Sequence, residues 1–134
     1  MSYFFGHASR TQLETCDPRL QLIARKAIMI KDHSIVKGHR PQAEQDAAFA
    51  AGASKLKWPN GNHNAMPSKA LDAMTFPVPE KESDLREEQL YLLGIYKGIA
   101  SEMGVPLRTG GDWDRDGEIA DNGFDDFFHV EIDE

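Results

Sequence analysis

The sequence predicts an α+β fold, and three observations carry that expectation. Helical periodicity concentrates in the early and middle segments, strand-like segments are short, and they fall between and after the helices rather than alternating with them. In chain order, Ser9 followed by Gln12 reads as a capping box for a short first helix. Asp17-Pro18 opens a second helix, with aspartate at the N-cap and proline at the first helical position. Leu20, Ile23, Ala24, Ala27 and Ile28 recur there at helical spacing and are expected to face the core. Residues 33–37, centred on Ile35 and Val36, read as a short strand. Pro41 starts an alanine-rich helix through Ala51, and Gly52 ends it.

Residues 54–68 contain Trp58-Pro59-Asn60-Gly61-Asn62 and no periodicity, which marks an irregular loop. Residues 69–75 read as a strand stopped by Pro77 and Pro79. Ser83 or Asp84 is expected to cap the longest helix, which runs to Met103 with Leu85, Leu92, Tyr96, Ile99 and Met103 as one apolar stripe. Gly104 supplies its stop. Residues 105–108 and 129–132 are short strands on either side of an aspartate-rich loop.

The 134 residues suffice for one hydrophobic core, so a single domain over 1–134 is expected. The chain is 40% hydrophobic and 28% charged, as in ordinary water-exposed globular proteins. No apolar run approaches the roughly 20 residues of a membrane helix, so no membrane insertion is expected. The N-terminus has no basic region followed by a sustained apolar one, so no signal peptide is expected either. Cys16 stands alone, which rules out an internal disulfide, and its place in a helical segment favours packing over a catalytic thiol. The net charge of −7 is uneven: residues 109–134 carry ten acidic side chains against the single Arg115, a net −9, while residues 1–108 are at +2. Such a segment argues against a nucleic-acid surface. It reads either as a solvated acidic loop or as a cation site, because carboxylates at this density repel one another unless compensated.

The chemistry concentrates in two distant segments. His63 and Asp72 flank the first, and His129 lies in the run Phe124-Asp125-Asp126-Phe127-Phe128-His129. Two histidines and an aspartate suit a zinc ion that keeps one position open for water. An additional carboxylate just before the last histidine has the character of the base that would use that water, so the residues point to metal-assisted hydrolysis.

Asn62-His63, then Ser68-Lys69-Ala70-Leu71-Asp72, then Asp126-Phe127-Phe128-His129-Val130-Glu131 resembles the ligand pattern of the LAS metallopeptidases, the lysostaphin-type enzymes, D-Ala-D-Ala peptidases and hedgehog-fold proteins. Within that group the short chain, the Gly38-His39-Arg40 turn after a strand and Gly111-Asp112-Trp113 before the last histidine are most similar to phage endolysins of the L-alanyl-D-glutamate peptidase type. The resemblance spans about residues 33–132. It implies a small antiparallel sheet packed with helices, hedgehog/D-Ala-D-Ala peptidase-like. It further implies that His63, Asp72 and His129 bind zinc, that Asp126 is the catalytic carboxylate and that Arg40 faces the substrate. Two departures stand out. The interval from His63 to Asp72 is longer than the family's usual one, and Gly61 and Met66 replace a serine and a glycine. In a straight strand Asp126 and His129 would face opposite sides, so a turn between them is required. Glu131, on the same strand face as His129, is the competitor of Asp126 for the role of base.

The implied function is that of a phage endolysin, a zinc peptidase that cuts the L-Ala–D-Glu bond of peptidoglycan stems. On this reading the protein is a monomer without a separate wall-binding module, made in the host cytoplasm and reaching the wall once the membrane is breached. The alternatives are a D-Ala-D-Ala carboxypeptidase or dipeptidase with the same centre, and a noncatalytic metal-binding domain. Asp112-Trp113-Asp114-Arg115-Asp116-Gly117 has the opening of a calcium loop, with Asp112, Asp114 and Asp116 as ligands. Gly123 stands where the closing glutamate belongs, leaving Asp121 or Asp125 to substitute. Trp113 is expected in the core or the cleft wall. His7, His33 and His39 are expected to be non-ligands.

Overall fold

Asp17 and Pro18 start a helix as their chemistry requires. In the computed structural model of the chain, which describes residues 3–119 and 126–134, α2 spans Pro18–Ala27. The Asp17 carboxylate accepts the Arg19 backbone N–H at 2.8 Å. The preceding helix, α1 (His7–Leu13), differs from expectation: Gly6 occupies the N-cap and Ser9 lies inside the helix. The buried Ser9 hydroxyl instead accepts the Ile35 N–H at 3.0 Å, tying α1 to the sheet, because a hydroxyl removed from water needs a partner. Helix α3 (Gln42–Ala50) begins after Pro41, and Gly52 follows it at φ 76°, a left-handed conformation that suits glycine. Helix α4 (Glu82–Met103) has Lys81 at its N-cap, two residues before Ser83, so Ser83 and Asp84 lie in its first turn; Gly104 at φ 72° ends it.

The strands are β1 (His33–Lys37), β2 (Ala70–Thr75), β3 (Leu107–Thr109) and β4 (His129–Ile132). β3 starts later than expected because Pro106 has no N–H to give a ladder. The four form one antiparallel sheet in the order β1-β2-β4-β3.

Side-chain alternation divides this sheet into a core face and a cleft face. Ile35, Leu71, Ala73, Leu107, Val130 and Ile132 join Leu20, Ile23, Ala24 and Ala27 of α2 and Leu92, Leu93, Tyr96 and Ala100 of α4 in one buried cluster. The α4 stripe is thus shifted: Leu92 and Tyr96 are buried as expected, while Ile99 and Met103 only pack against the edge of the core. Cys16 is buried in the same cluster, and burial pushes its thiol up to about 12, which makes it a packing residue. Among the described residues no helix is long and apolar enough to cross a membrane.

Candidate metal centre

The register of the sheet brings two distant residues together. Asp72 on β2 is the direct cross-strand partner of His129 on β4, so both side chains stand on the cleft face. The third comes from the irregular loop, where a short 3-10 turn, Asn62–Asn64, carries His63. That turn is held firmly. Arg40 N–H donates to the His63 carbonyl at 2.7 Å, and Asn64 Nδ2 donates to the Arg40 carbonyl and to Gln45 Oε1, each at 3.1 Å. Gly61 N–H donates to Asn64 Oδ1, and a Cβ at Gly61 would lie 2.9 Å from that oxygen, so the glycine departure noted in the sequence is fitted to this turn. Met66 is exposed.

His63 Nε2, His129 Nδ1 and Asp72 Oδ1 form a triangle with sides of 3.2, 3.3 and 3.4 Å. Ligand atoms about 2.0–2.1 Å from a tetrahedral ion would be separated by roughly 3.3–3.4 Å, so the triangle fits three corners of such a site. Asp72 Oδ1 is also the one buried side-chain polar atom among the described residues that has no hydrogen-bond partner. An oxygen so enclosed is costly unless something charged engages it. His63 and His129 commit their other ring nitrogens elsewhere: His63 Nδ1 is 2.7 Å from the Gly38 carbonyl, and His129 Nε2 is 2.7 Å from Glu131 Oε1. The Gly38 approach needs glycine, since a Cβ there would sit 2.4 Å from the Gln12 carbonyl and the Thr15 hydroxyl.

The electrostatics follow from these contacts. Burial alone would raise Asp72 and lower His129, but their close approach and opposite charges overcome it. Asp72 is held below the usual carboxylate range by His129 and His63, and His129 is raised to about 9 by Asp72 and Glu131. Glu131 is likewise brought down to about 2 against its own burial, by His129 and then Arg108. The negative potential of Asp72 and Glu131 that holds a proton on His129 is equally available to a divalent cation.

A cleft of about 400 Å³ opens over the triangle, lined by Arg40, Lys55, Trp113 and Asp126 among others. The turn demanded by the sequence is present: His129 N–H donates to the Asp126 carbonyl at 3.2 Å, and Phe128 N–H to Asp126 Oδ1 at 3.1 Å. Asp126 N–H in turn donates to Gly110 O at 2.9 Å, and a Cβ on Gly110 would come within 1.9 Å of the Asp126 carbonyl oxygen. Arg40 reaches Asp72 Oδ2 at 3.8 Å while Nη1 donates to Gln45 Oε1 at 3.2 Å.

The second set of carboxylates is of another kind. Asp112, Asp114 and Asp116 bring ligand atoms within 4.8 Å of one another, but Asp114 and Asp116 are exposed. Asp112 accepts the N–H groups of Asp116 and Gly117, and Asp116 accepts that of Glu118. Asp121, Gly123 and Asp125, named from the sequence, lie outside the described residues. Trp113 is a cleft-wall residue, its ring centroid 5.3 Å from that of His129. His33 is buried against Tyr96 Oη at 2.7 Å, His39 Nδ1 lies 3.0 Å from the Ala65 carbonyl, and His7 is exposed.

Several supporting residues escaped the sequence reading. Gln45 is buried, meets Arg40 and Asn64, and donates to Ser54 Oγ and the Leu56 carbonyl on the cleft rim. Gln89 donates to the carbonyls of Ala73 and Phe127, fixing the turn that carries Asp126. A polar residue on an otherwise small or apolar helix face was the available signal for both. Arg108 and Asn62 converge on Glu131, a contact that only the strand register reveals.

Comparison with known proteins gives a consistent result. The sequence model of a family described as phage L-alanyl-D-glutamate peptidase matches residues 1–132. The L-alanyl-D-glutamate peptidase of Escherichia phage T5 is 32% identical over 140 residues, covering 98% of this chain and 99% of the phage protein. Among solved structures, the L-Ala D-Glu endopeptidase ChiX of Serratia marcescens superposes with a TM-score of 0.72 at 21% identity, covering 97% of this chain and 90% of its own. At that identity the structural likeness speaks for the fold, and it agrees with the α+β arrangement described above.

Proposed function

Since this chain belongs to the phage L-alanyl-D-glutamate peptidase family, we propose that its cleft hydrolyses the amide between L-alanine and D-glutamate in peptidoglycan stem peptides, as a phage endolysin. The observation that carries this reading is the triangle of His63, Asp72 and His129 at the floor of the cleft that Asp126 and Arg40 also line. The donor set, two imidazole nitrogens and one carboxylate oxygen, suits zinc with a position left open for water. When bound, zinc would polarise the scissile carbonyl and make the attacking water acidic at neutral pH.

The chain's own residues supply the rest. Asp126 accepts the proton from the attacking water and returns it to the departing amine nitrogen. Its carboxylate is aimed by the turn to His129, by Phe128 N–H and by the Gly110 contact. The guanidinium of Arg40, steadied by Gln45, offsets negative charge growing on the carbonyl oxygen or holds a substrate carboxylate. Glu131 is unsuited to be the base, because both its oxygens are engaged by His129, Asn62 and Arg108. Binding energy comes from the cleft itself, since an acidic chain is not drawn to anionic wall polymers. We further take the enzyme to act as a monomeric single domain, made in the host cytoplasm and reaching the wall after membrane permeabilisation. Asp112, Asp114 and Asp116 have the oxygen chemistry for calcium, as a loosely held ion on the surface.

Defined muropeptides incubated with zinc-loaded protein test the assignment by fragment mass. Cleavage between L-alanine and D-glutamate is expected. Release of free D-alanine alone would instead indicate a carboxypeptidase, and intact substrate with metal bound a noncatalytic domain.

A further inference from the structure

We infer that Glu131 is a positioning residue for the metal centre, a clamp that holds His129 with Nδ1 presented to the cation and couples that ligand to the loop bearing His63. The inference rests on the metal reading above and adds a residue to it. Glu131 is two positions from His129 on the same face of β4, and its Oε1 accepts His129 Nε2–H at 2.7 Å. An imidazole has a single N–H when neutral, so a proton fixed on Nε2 leaves the Nδ1 lone pair free. That lone pair faces Asp72 Oδ1 at 3.4 Å and His63 Nε2 at 3.2 Å. His63 solves the same problem in mirror fashion, with Nδ1 committed to the Gly38 carbonyl and Nε2 turned inward.

Glu131 is itself immobilised from two directions. Arg108 is its direct cross-strand neighbour on β3 and donates to Oε2 through Nη2 at 2.6 Å and Nε at 3.2 Å. Asn62 donates Nδ2 to the same oxygen at 2.8 Å, and Asn62 immediately precedes His63. One carboxylate therefore joins β3, β4 and the 62–64 turn, the elements that carry or flank both histidines. An acceptor carboxylate behind a ligand imidazole also makes the ring a better donor to metal. The Arg108 guanidinium lies 5.5 Å from the Trp113 ring, which in turn flanks His129, so the ring is confined by packing as well as by the hydrogen bond.

The test is zinc affinity, measured by competition with a chromophoric chelator, together with the imidazole N–H signals of the zinc-loaded protein by NMR. Glu131→Ala should weaken zinc binding roughly 10–100-fold and abolish the exchange-protected Nε2–H signal of His129. Glu131→Gln keeps an acceptor oxygen, so it should lose less affinity and retain the signal. A merely structural ion pair would instead lower the melting temperature of Glu131→Ala and Arg108→Ala alike, leaving zinc affinity and the signal at wild-type values, and this result would overturn the proposal. Should Glu131→Ala fail to fold, Asn62→Ala, at the loop, and Glu131→Gln replace it, and wild-type affinity in both is equally fatal. Wild-type protein and Asp72→Ala separate the two layers of argument. Zinc bound by the former and lost by the latter upholds the metal reading whatever the clamp does, and no zinc in either removes both.

Discussion

Two trios of ligand-type side chains sit within one small fold, His63, Asp72 and His129 on the sheet and Asp112, Asp114 and Asp116 in the acidic loop, and they differ in what surrounds them. In the first, two strands and a braced turn deliver the donors, both histidines are buried, and one carboxylate oxygen lacks any hydrogen-bond partner. In the second, two of the three residues are exposed and the carboxylates fold back onto the N–H groups of their own loop. Sequence spacing nominates both trios. What separates them is desolvation: buried donors aimed at a common point carry a standing cost that a cation relieves, whereas solvated carboxylates have water and their own amides.

The largest effect that could break this contrast comes from the ligands. His63→Ala or Asp72→Ala should abolish tight zinc retention and lower muropeptide turnover by roughly 10³-fold or more, read from metal content and product mass. Next, Asp126→Asn should retain zinc yet lower kcat about 10²–10³-fold; turnover near wild type would remove Asp126 from the role of base.

Burial of an imidazole does not by itself make a ligand, and His33 sharpens that point. His129 is raised to about 9 by its two carboxylate partners, whereas burial beside neutral Tyr96 pushes His33 down to about 4. The unfolded chain, with histidine near 6.5, then binds the proton more tightly than the folded one. Stability should be fully present above pH 6.5 and fall by about 3 kcal/mol as pH drops towards 4. A His33→Gln variant should lose that slope in urea titrations across the same window; an unchanged slope would place the effect elsewhere. The smallest expected effect belongs to the acidic loop. Asp116→Asn should alter stability by under about 0.5 kcal/mol in chelator-treated buffer, and calcium should act there only towards the millimolar range. Tight calcium retention would erase the distinction between the trios.

Much of this molecule was legible in the sequence because its signals are local. Asp17-Pro18, Gly52 and Gly104 mark helix ends through backbone chemistry that needs no tertiary context. The ligand types were legible too, and the need for a turn between Asp126 and His129 followed from strand geometry alone. What could not be read was set by register and packing. Ser9 looked like a cap but serves β1, Pro106 delays β3, and the convergence of Arg108 and Asn62 on Glu131 exists only once β3, β4 and the loop are assembled. Gln45 and Gln89 show the same limit, since a buried amide reveals its purpose through partners far away in the chain.

The central claim is that the three converging donors hold one catalytic cation, and the most direct test is activity measured against zinc content on the same chelator-stripped sample. Cleavage of muropeptides should be absent without metal and rise in proportion to added zinc, levelling at one equivalent. Full cleavage by the stripped protein, or none with zinc bound at one equivalent, would contradict it.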